Sequence, residues 1–150
     1  MKRLIVWMIA VLLTTSVGAQ IKEPVGWTFS AKKKSADTYD LVIKAVVPKP
    51  WHLYSQFTPE GGPVPTKFTF NANPLVKLDG KVKEIGKLQK IQDKIFETEV
   101  RFFSNEVTFV QTVKVKAGVK TNVTGNVLFM VCDDSQCLPP TNKKFDIKLQ

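Results

Sequence analysis

The chain has 150 residues, 43% of them hydrophobic, with one histidine, two cysteines and a formal net charge of +9 at pH 7. A single histidine excludes a multi-histidine metal site, and no cysteine or carboxylate cluster has zinc spacing. The lysines are scattered, Lys32 to Lys34 being the one tight run, and no basic stripe interleaved with aromatics marks a nucleic-acid surface.

Residues 1–19 have the three parts of an export signal. Lys2 and Arg3 come first, an apolar stretch follows over 4–13, and Val17-Gly18-Ala19 makes a small-residue cleavage site. The apolar stretch is too short to span a bilayer, so cleavage is expected rather than anchoring. No cysteine follows the cleavage site to carry a lipid. The expected product is one soluble, exported domain over 20–150, with a charge of +7 once Lys2 and Arg3 are removed from the +9.

From there the apolar pattern has a period of two. A strand is expected over 27–31, and Tyr39, Leu41, Ile43, Ala45 and Val47 then share one face of another. Shorter strands are expected over 51–55 and 66–71, with a weak one near 76–78. Phe96, Thr98, Val100 and Phe102 alternate next, then Val107, Phe109, Gln111, Val113 and Val115. Val123 to Val131 keeps the same period with Cys132 at its end, and Phe145, Ile147 and Leu149 close the chain. Turn signals separate these runs at Pro48-Lys49-Pro50, Gly61-Gly62-Pro63, Asn73-Pro74, Asp79-Gly80, Ser104-Asn105 and Ala117-Gly118. No segment holds a helical period over three turns. The pattern predicts an all-β fold, an immunoglobulin-like antiparallel β-sandwich, with Phe102, Phe109, Val113, Val127 and Phe129 buried between its sheets.

Two segments break the rhythm. Residues 57–65 carry three prolines and two glycines and are expected to form a rigid excursion. Residues 86–94 read as a polar loop with only Leu88 and Ile91 apolar, side chains that need something to cover.

Chemistry is scarce elsewhere. There is no nucleophile elbow and no phosphate-cradling glycine loop. Asp133-Asp134 lacks the regularly spaced oxygen ligands of a calcium loop. His52, in the strand-like Trp51-His52-Leu53-Tyr54, reads as a surface or satisfied histidine, and Asn122-Val123-Thr124 is a common chance match to a glycosylation acceptor.

What remains is the cysteine pair in Val131-Cys132-Asp133-Asp134-Ser135-Gln136-Cys137-Leu138-Pro139-Pro140. Closing so short a loop contributes about 2 kcal/mol in the loop-closure model, against nearly 5 for about 100 residues. A polar, exposed turn also lets an incoming thiolate reach a sulfur. The neighbouring carboxylates disfavour a thiolate at Cys132, leaving Cys137 the better point of attack. Spacing alone leaves both a structural staple and a redox-active pair open.

The segment from Val131 to Pro140 resembles the N-terminal periplasmic domain of the thiol:disulfide interchange protein DsbD. In that family a cysteine pair precedes one residue and then a double proline entering the last strand. Pro50-Trp51-His52-Leu53-Tyr54-Ser55-Gln56 looks like the family's aromatic strand, and Gly61-Gly62-Pro63-Val64-Pro65-Thr66 like a loop of its single-domain relatives. The resemblance implies an immunoglobulin-like domain that shuttles electrons without metal or organic cofactor. Its donor would be a thioredoxin-like or membrane-embedded thiol-disulfide protein. Its acceptors would be periplasmic disulfide isomerases or cytochrome c maturation proteins.

By the same resemblance, Cys137 forms the mixed disulfide and Cys132 resolves it. A cap loop would shield the pair, its best match being residues 86–94 with Leu88 and Ile91. Tyr54 and His52 fall where the family places aromatic residues near the cysteines. This chain departs in its closer cysteine spacing and its aliphatic cap, and no membrane-embedded part follows Gln150, so the donor is expected to be a separate chain. The rival reading is a non-catalytic immunoglobulin-like binding module whose bridge only fixes a recognition loop.

Overall fold

The structure is a computed structural model and describes residues 23–94 and 96–150. The export signal expected at 1–19 lies outside the described residues. Within them the chain forms nine strands and no helix. They are β1 (Gly26–Lys33), β2 (Thr38–Val47), β3 (His52–Tyr54), β4 (Lys67–Phe70), β5 (Val76–Gln92), β6 (Glu99–Val115), β7 (Thr121–Phe129), β8 (Val131–Cys132) and β9 (Thr141–Leu149).

The two-residue period is the cause. A strand sends alternate side chains to opposite faces, and in β2 Tyr39, Leu41, Ile43, Ala45 and Val47 are all buried while their neighbours are not. The larger sheet runs β1-β2-β6-β3-β8, with β5 paired along β6, and the smaller runs β4-β7-β9. Every pairing is antiparallel. Leu41, Ile43, Phe109 and Val113 from the larger sheet meet Val127, Phe129 and Ile147 from the smaller. Trp27 joins them, its ring 5.0 Å from that of Phe129. The all-β antiparallel sandwich expected from the pattern is the fold that forms.

Three local departures position the site. Ser104-Asn105 is not a turn: β6 runs unbroken through it, with Asn105 at a φ of 73°. Asparagine tolerates that left-handed conformation better than most residues. Pairing with β5 there jumps from Gly86↔Val107 to Leu88↔Phe103, a bulge that re-aims the first part of β6. Phe103 therefore faces the main core, whereas Val100 and Phe102 face a second, smaller cluster. Phe102 is buried, but not between the sheets as its pattern suggested.

Residues 86–92 are likewise not a loop. They complete the long edge strand β5, which gives β6 backbone partners down to Glu99, and Asp79-Gly80 lies in a bulge within it. The segment reads as loop because an edge strand with exposed faces carries polar residues and lysines. Finally, the run ending at Cys132 breaks at Met130. β7 belongs to the small sheet and β8 to the large one, so the chain crosses the sandwich immediately before the first cysteine.

Candidate functional site

That crossing places Cys132 at the edge of the larger sheet, directly opposite His52 of β3. The chain then folds straight back, so that Cys132 and Cys137 face each other as an isolated antiparallel pair. The N–H of Asp133 donates to Gln136 O and that of Leu138 to Val131 O, both at 2.9 Å. The cysteines thus occupy the non-hydrogen-bonded position between two bonded pairs, where facing Cα atoms come closest. Their Cα atoms are 4.0 Å apart and the sulfurs are bonded.

Asp133 organises the turn. Its carboxylate accepts the N–H groups of Ser135 and Gln136 and the Ser135 hydroxyl, each at 2.8 Å. These bonds, those to Ser135 foremost, hold its pKa at about 2. The result is an unequal pair. Cys132 is buried at 4% exposure, while Cys137 lies on the exposed outer limb of the hairpin.

Cys132 packs with Tyr54, Val100 and Phe102, and Phe96 and Met130 lie against them. The His52 and Phe102 rings are 4.6 Å apart. Burial, aided by the Asp93 carboxylate, pushes the Tyr54 phenol up to about 12. The turn between β5 and β6 delivers Phe96. Asp93 donates its N–H to Thr98 O at 2.9 Å, and its carboxylate accepts the Phe96 N–H at 3.0 Å. Glu97 completes the reversal at a φ of 53°. Residues 57–65 close the other side, where the Val64 N–H lies 3.4 Å from Met130 Sδ. Gly62 there sits so close that a Cβ would stand 3.2 Å from Thr98 Cγ2.

His52 has partners at both ring nitrogens. Nδ1 is 3.0 Å from Ser104 Oγ, which also accepts Gln89 Nε2 at 2.8 Å. Nε2 is 3.6 Å from Asp134 Oδ1, on a side chain 90% exposed. A cleft of about 430 Å³ opens beside this group, lined also by Lys49, Trp51, Lys87 and Asn105.

Of the residues singled out by sequence, Cys132, His52 and Tyr54 come together, with Cys137 on the same hairpin. Leu88 and Ile91 lie farther out on β5, 39% and 47% exposed, with β6 and β3 between them and β8. Ile91 is paired with Val100 of the Cys132 cluster, whereas Leu88 is paired with Phe103 of the main core. The side chain that this hairpin places on the Cys132 cluster is Phe96, which sequence reasoning missed. Part of its signal was present, since aspartate side chains bond the backbone just ahead of them and favour turns. Among the described residues, no three His, Cys, Asp or Glu side chains converge as metal ligands, and no helix is long and apolar enough to cross a membrane.

Residues 20–149 match the family described as thiol:disulfide interchange protein DsbD, N-terminal. No curated protein matches the chain. Among solved structures, the N-terminal periplasmic domain of ScsB from Proteus mirabilis is similar with a TM-score of 0.55 at 15% identity. That likeness covers 81% of this chain but only 44% of the ScsB chain. The DsbD N-terminal domain of Neisseria meningitidis in its reduced form gives 0.51 at 17% identity, covering 75% of this chain and 78% of its own. These two likenesses establish the immunoglobulin-like fold.

Proposed function

This chain belongs to the DsbD N-terminal family of thiol:disulfide interchange proteins, and we propose that it is a periplasmic exchange domain acting through Cys137 and Cys132. One observation carries this reading: the hairpin offers one sulfur-bearing residue to solvent and buries the other among aromatic side chains. A staple needs no such difference. An exchange pair does, because one sulfur must be attacked and the other must leave and later return.

In the accepting step, a donor thiolate attacks Cys137 Sγ. The disulfide breaks, and Cys132 departs with the bonding electron pair and takes up a proton. The donor's second thiolate then attacks the donor sulfur of the mixed disulfide, releasing Cys137 as a thiolate and the donor oxidised. In the delivering step, the Cys137 thiolate attacks a target disulfide. Cys132, losing its proton, attacks Cys137 Sγ, re-forms the bond and frees the reduced target. Two electrons move per cycle.

The donor is a thioredoxin-like or membrane-embedded thiol-disulfide protein, and the acceptors are periplasmic disulfide isomerases or cytochrome c maturation proteins. Export through residues 1–19, leaving 20–150 as the mature domain, agrees with the periplasmic setting named for the ScsB domain. Phe96 acts as the cap on the Cys132 side of the pair, the shielding role that the family resemblance gave to Leu88 and Ile91.

The test is a trap. Cys132→Ala should accumulate a disulfide-linked adduct through Cys137 when mixed with an oxidised thioredoxin-like protein, and Cys137→Ala should not. No adduct from either variant, with a bond potential below about −300 mV, would sink the exchange reading. The hairpin would then serve a non-catalytic binding module.

A further inference from the structure

Building on the exchange reading, we propose that His52 is a positioning residue for the reaction. Its imidazolium stabilises Cys132 as the leaving thiolate, so attack at Cys137 is faster when His52 is protonated.

The need arises from burial. When the bond opens, the donor's negative charge passes through Cys137 to Cys132, which then sits among Tyr54, Val100, Phe102, Phe96 and Met130. A thiolate in apolar surroundings is disfavoured unless a cation or donor faces it, and those five side chains offer no cation and one neutral donor, the Tyr54 hydroxyl. His52 is the register partner of Cys132. Directly opposed residues in an antiparallel pair project to the same face with Cβ atoms about 4.5–5.5 Å apart. The imidazole therefore stands beside the leaving sulfur's side chain, outside the apolar cluster but against it, its ring on Phe102.

The surrounding groups suit either protonation state. With Gln89 donating to Ser104 Oγ, the Ser104 hydroxyl hydrogen is free to point at a neutral Nδ1, and an Oγ lone pair is free to accept from a protonated one. The charged groups facing the ring are of both signs. The turn after β8 supplies Asp134, 3.6 Å from Nε2, with Asp133 beside it. Lys87 of β5 and Lys49 ahead of β3 line the cleft, while β6 contributes the uncharged Phe102, Ser104 and Asn105. The His52 side chain is 29% exposed in that cleft, so it exchanges protons with water.

His52 is the chain's only histidine, which makes the test clean. The oxidised protein is reduced by a small dithiol from pH 5 to 8, each rate being divided by the thiolate concentration. The His52 titration is read separately from its ring C–H resonance by NMR. A cation beside the sulfur lowers a thiol by about one unit. Taking for the leaving thiol the steepness of about 0.4–0.5 that holds for the attacking one, the corrected rate should rise about threefold as His52 becomes protonated. In His52→Gln the rise should vanish. His52→Lys, which keeps a cation at every pH of the assay, should hold the faster rate from pH 5 to 8 with no step, which a merely structural role would not produce and which serves if His52→Gln fails to fold. A step that persists in His52→Gln, or a His52→Lys protein no faster than His52→Gln, overturns the proposal. Those outcomes leave the Cys132→Ala trap unaffected. Failure of the trap with the pH step intact would instead remove the exchange reading and keep the coupling.

Discussion

Replacing Phe96 by alanine tests the cap directly. The ring is half-buried against Tyr54, Val100, Phe102 and Cys132. Burying a whole phenylalanine side chain is worth roughly 1.5–3 kcal/mol, so a half-buried ring contributes about 1 kcal/mol to holding the cap closed. Cys137 is exposed already, so the ring acts on the departure of the buried Cys132 sulfur. Each 1.4 kcal/mol is a factor of ten, and freeing that departure in Phe96→Ala should raise the rate of reduction by excess dithiol about fivefold. The reaction is followed by free-thiol release, with urea unfolding in parallel. The midpoint should fall by the equivalent of about 1 kcal/mol, which a domain of ordinary stability tolerates. Leu88→Ser with Ile91→Ser, on the exposed edge strand, should react at the wild-type rate. Phe96→Ala reacting at the wild-type rate while losing stability would reduce the ring to packing. Faster reaction in the β5 double variant would move the shield back to the residues first suspected.

Three other outcomes are expected. The Asp133 carboxylate, held at about 2 against an ordinary 3.8, orders its turn fully above about pH 4. That order should be lost as pH falls through 2, seen as a loss of protection of the Ser135 and Gln136 amides relative to their intrinsic exchange rates; protection unchanged between pH 4 and 2 would count against it. Gly125→Ala should cost about 1–3 kcal/mol or more in urea unfolding. An added Cβ there would overlap Thr69 O and stand 2.6 Å from Phe145 Cζ. Reduction should leave the circular dichroism of the sandwich in place, since closing this loop contributes only about 2 kcal/mol of the 5–15 typical for a domain. Unfolding on mild reduction would favour the staple.

The elements read correctly are those whose apolar residues are buried on one face. β2 and the second part of β6 alternate strictly because one side of each packs on the opposite sheet. β5 was lost because its pattern reports exposure on an edge, and polar residues at an edge look like those of a loop. The continuity of β6 was lost for the reverse reason. Ser104-Asn105 has a turn's composition, yet β2 and β3 on one side and β5 on the other continue to pair beyond it. At the site, the cysteine pair and the aromatic strand were legible because they are local in sequence. The shield was not: Phe96 meets Cys132 only through the pairing of β3 with both β6 and β8, and no local window contains that contact.

The same topology bears on whether the bond is a staple or a tool. Among the described residues, the buried side chains between the sheets form one cluster, and Cys132 belongs to the other. A bond that stapled the sandwich would tie its two sheets, or at least engage the main core. This one joins neighbouring limbs of a single hairpin at a sheet edge, beyond the bulge at Asn105 that separates the two clusters. Breaking it therefore asks nothing of Leu41, Ile43, Phe109 or Phe129. What changes on reduction is confined to the hairpin, Tyr54, Phe102, His52 and the ring of Phe96. Those side chains are also the ones that surround the Cys132 sulfur as it leaves and returns. The second cluster keeps the chemistry reversible by keeping it out of the fold.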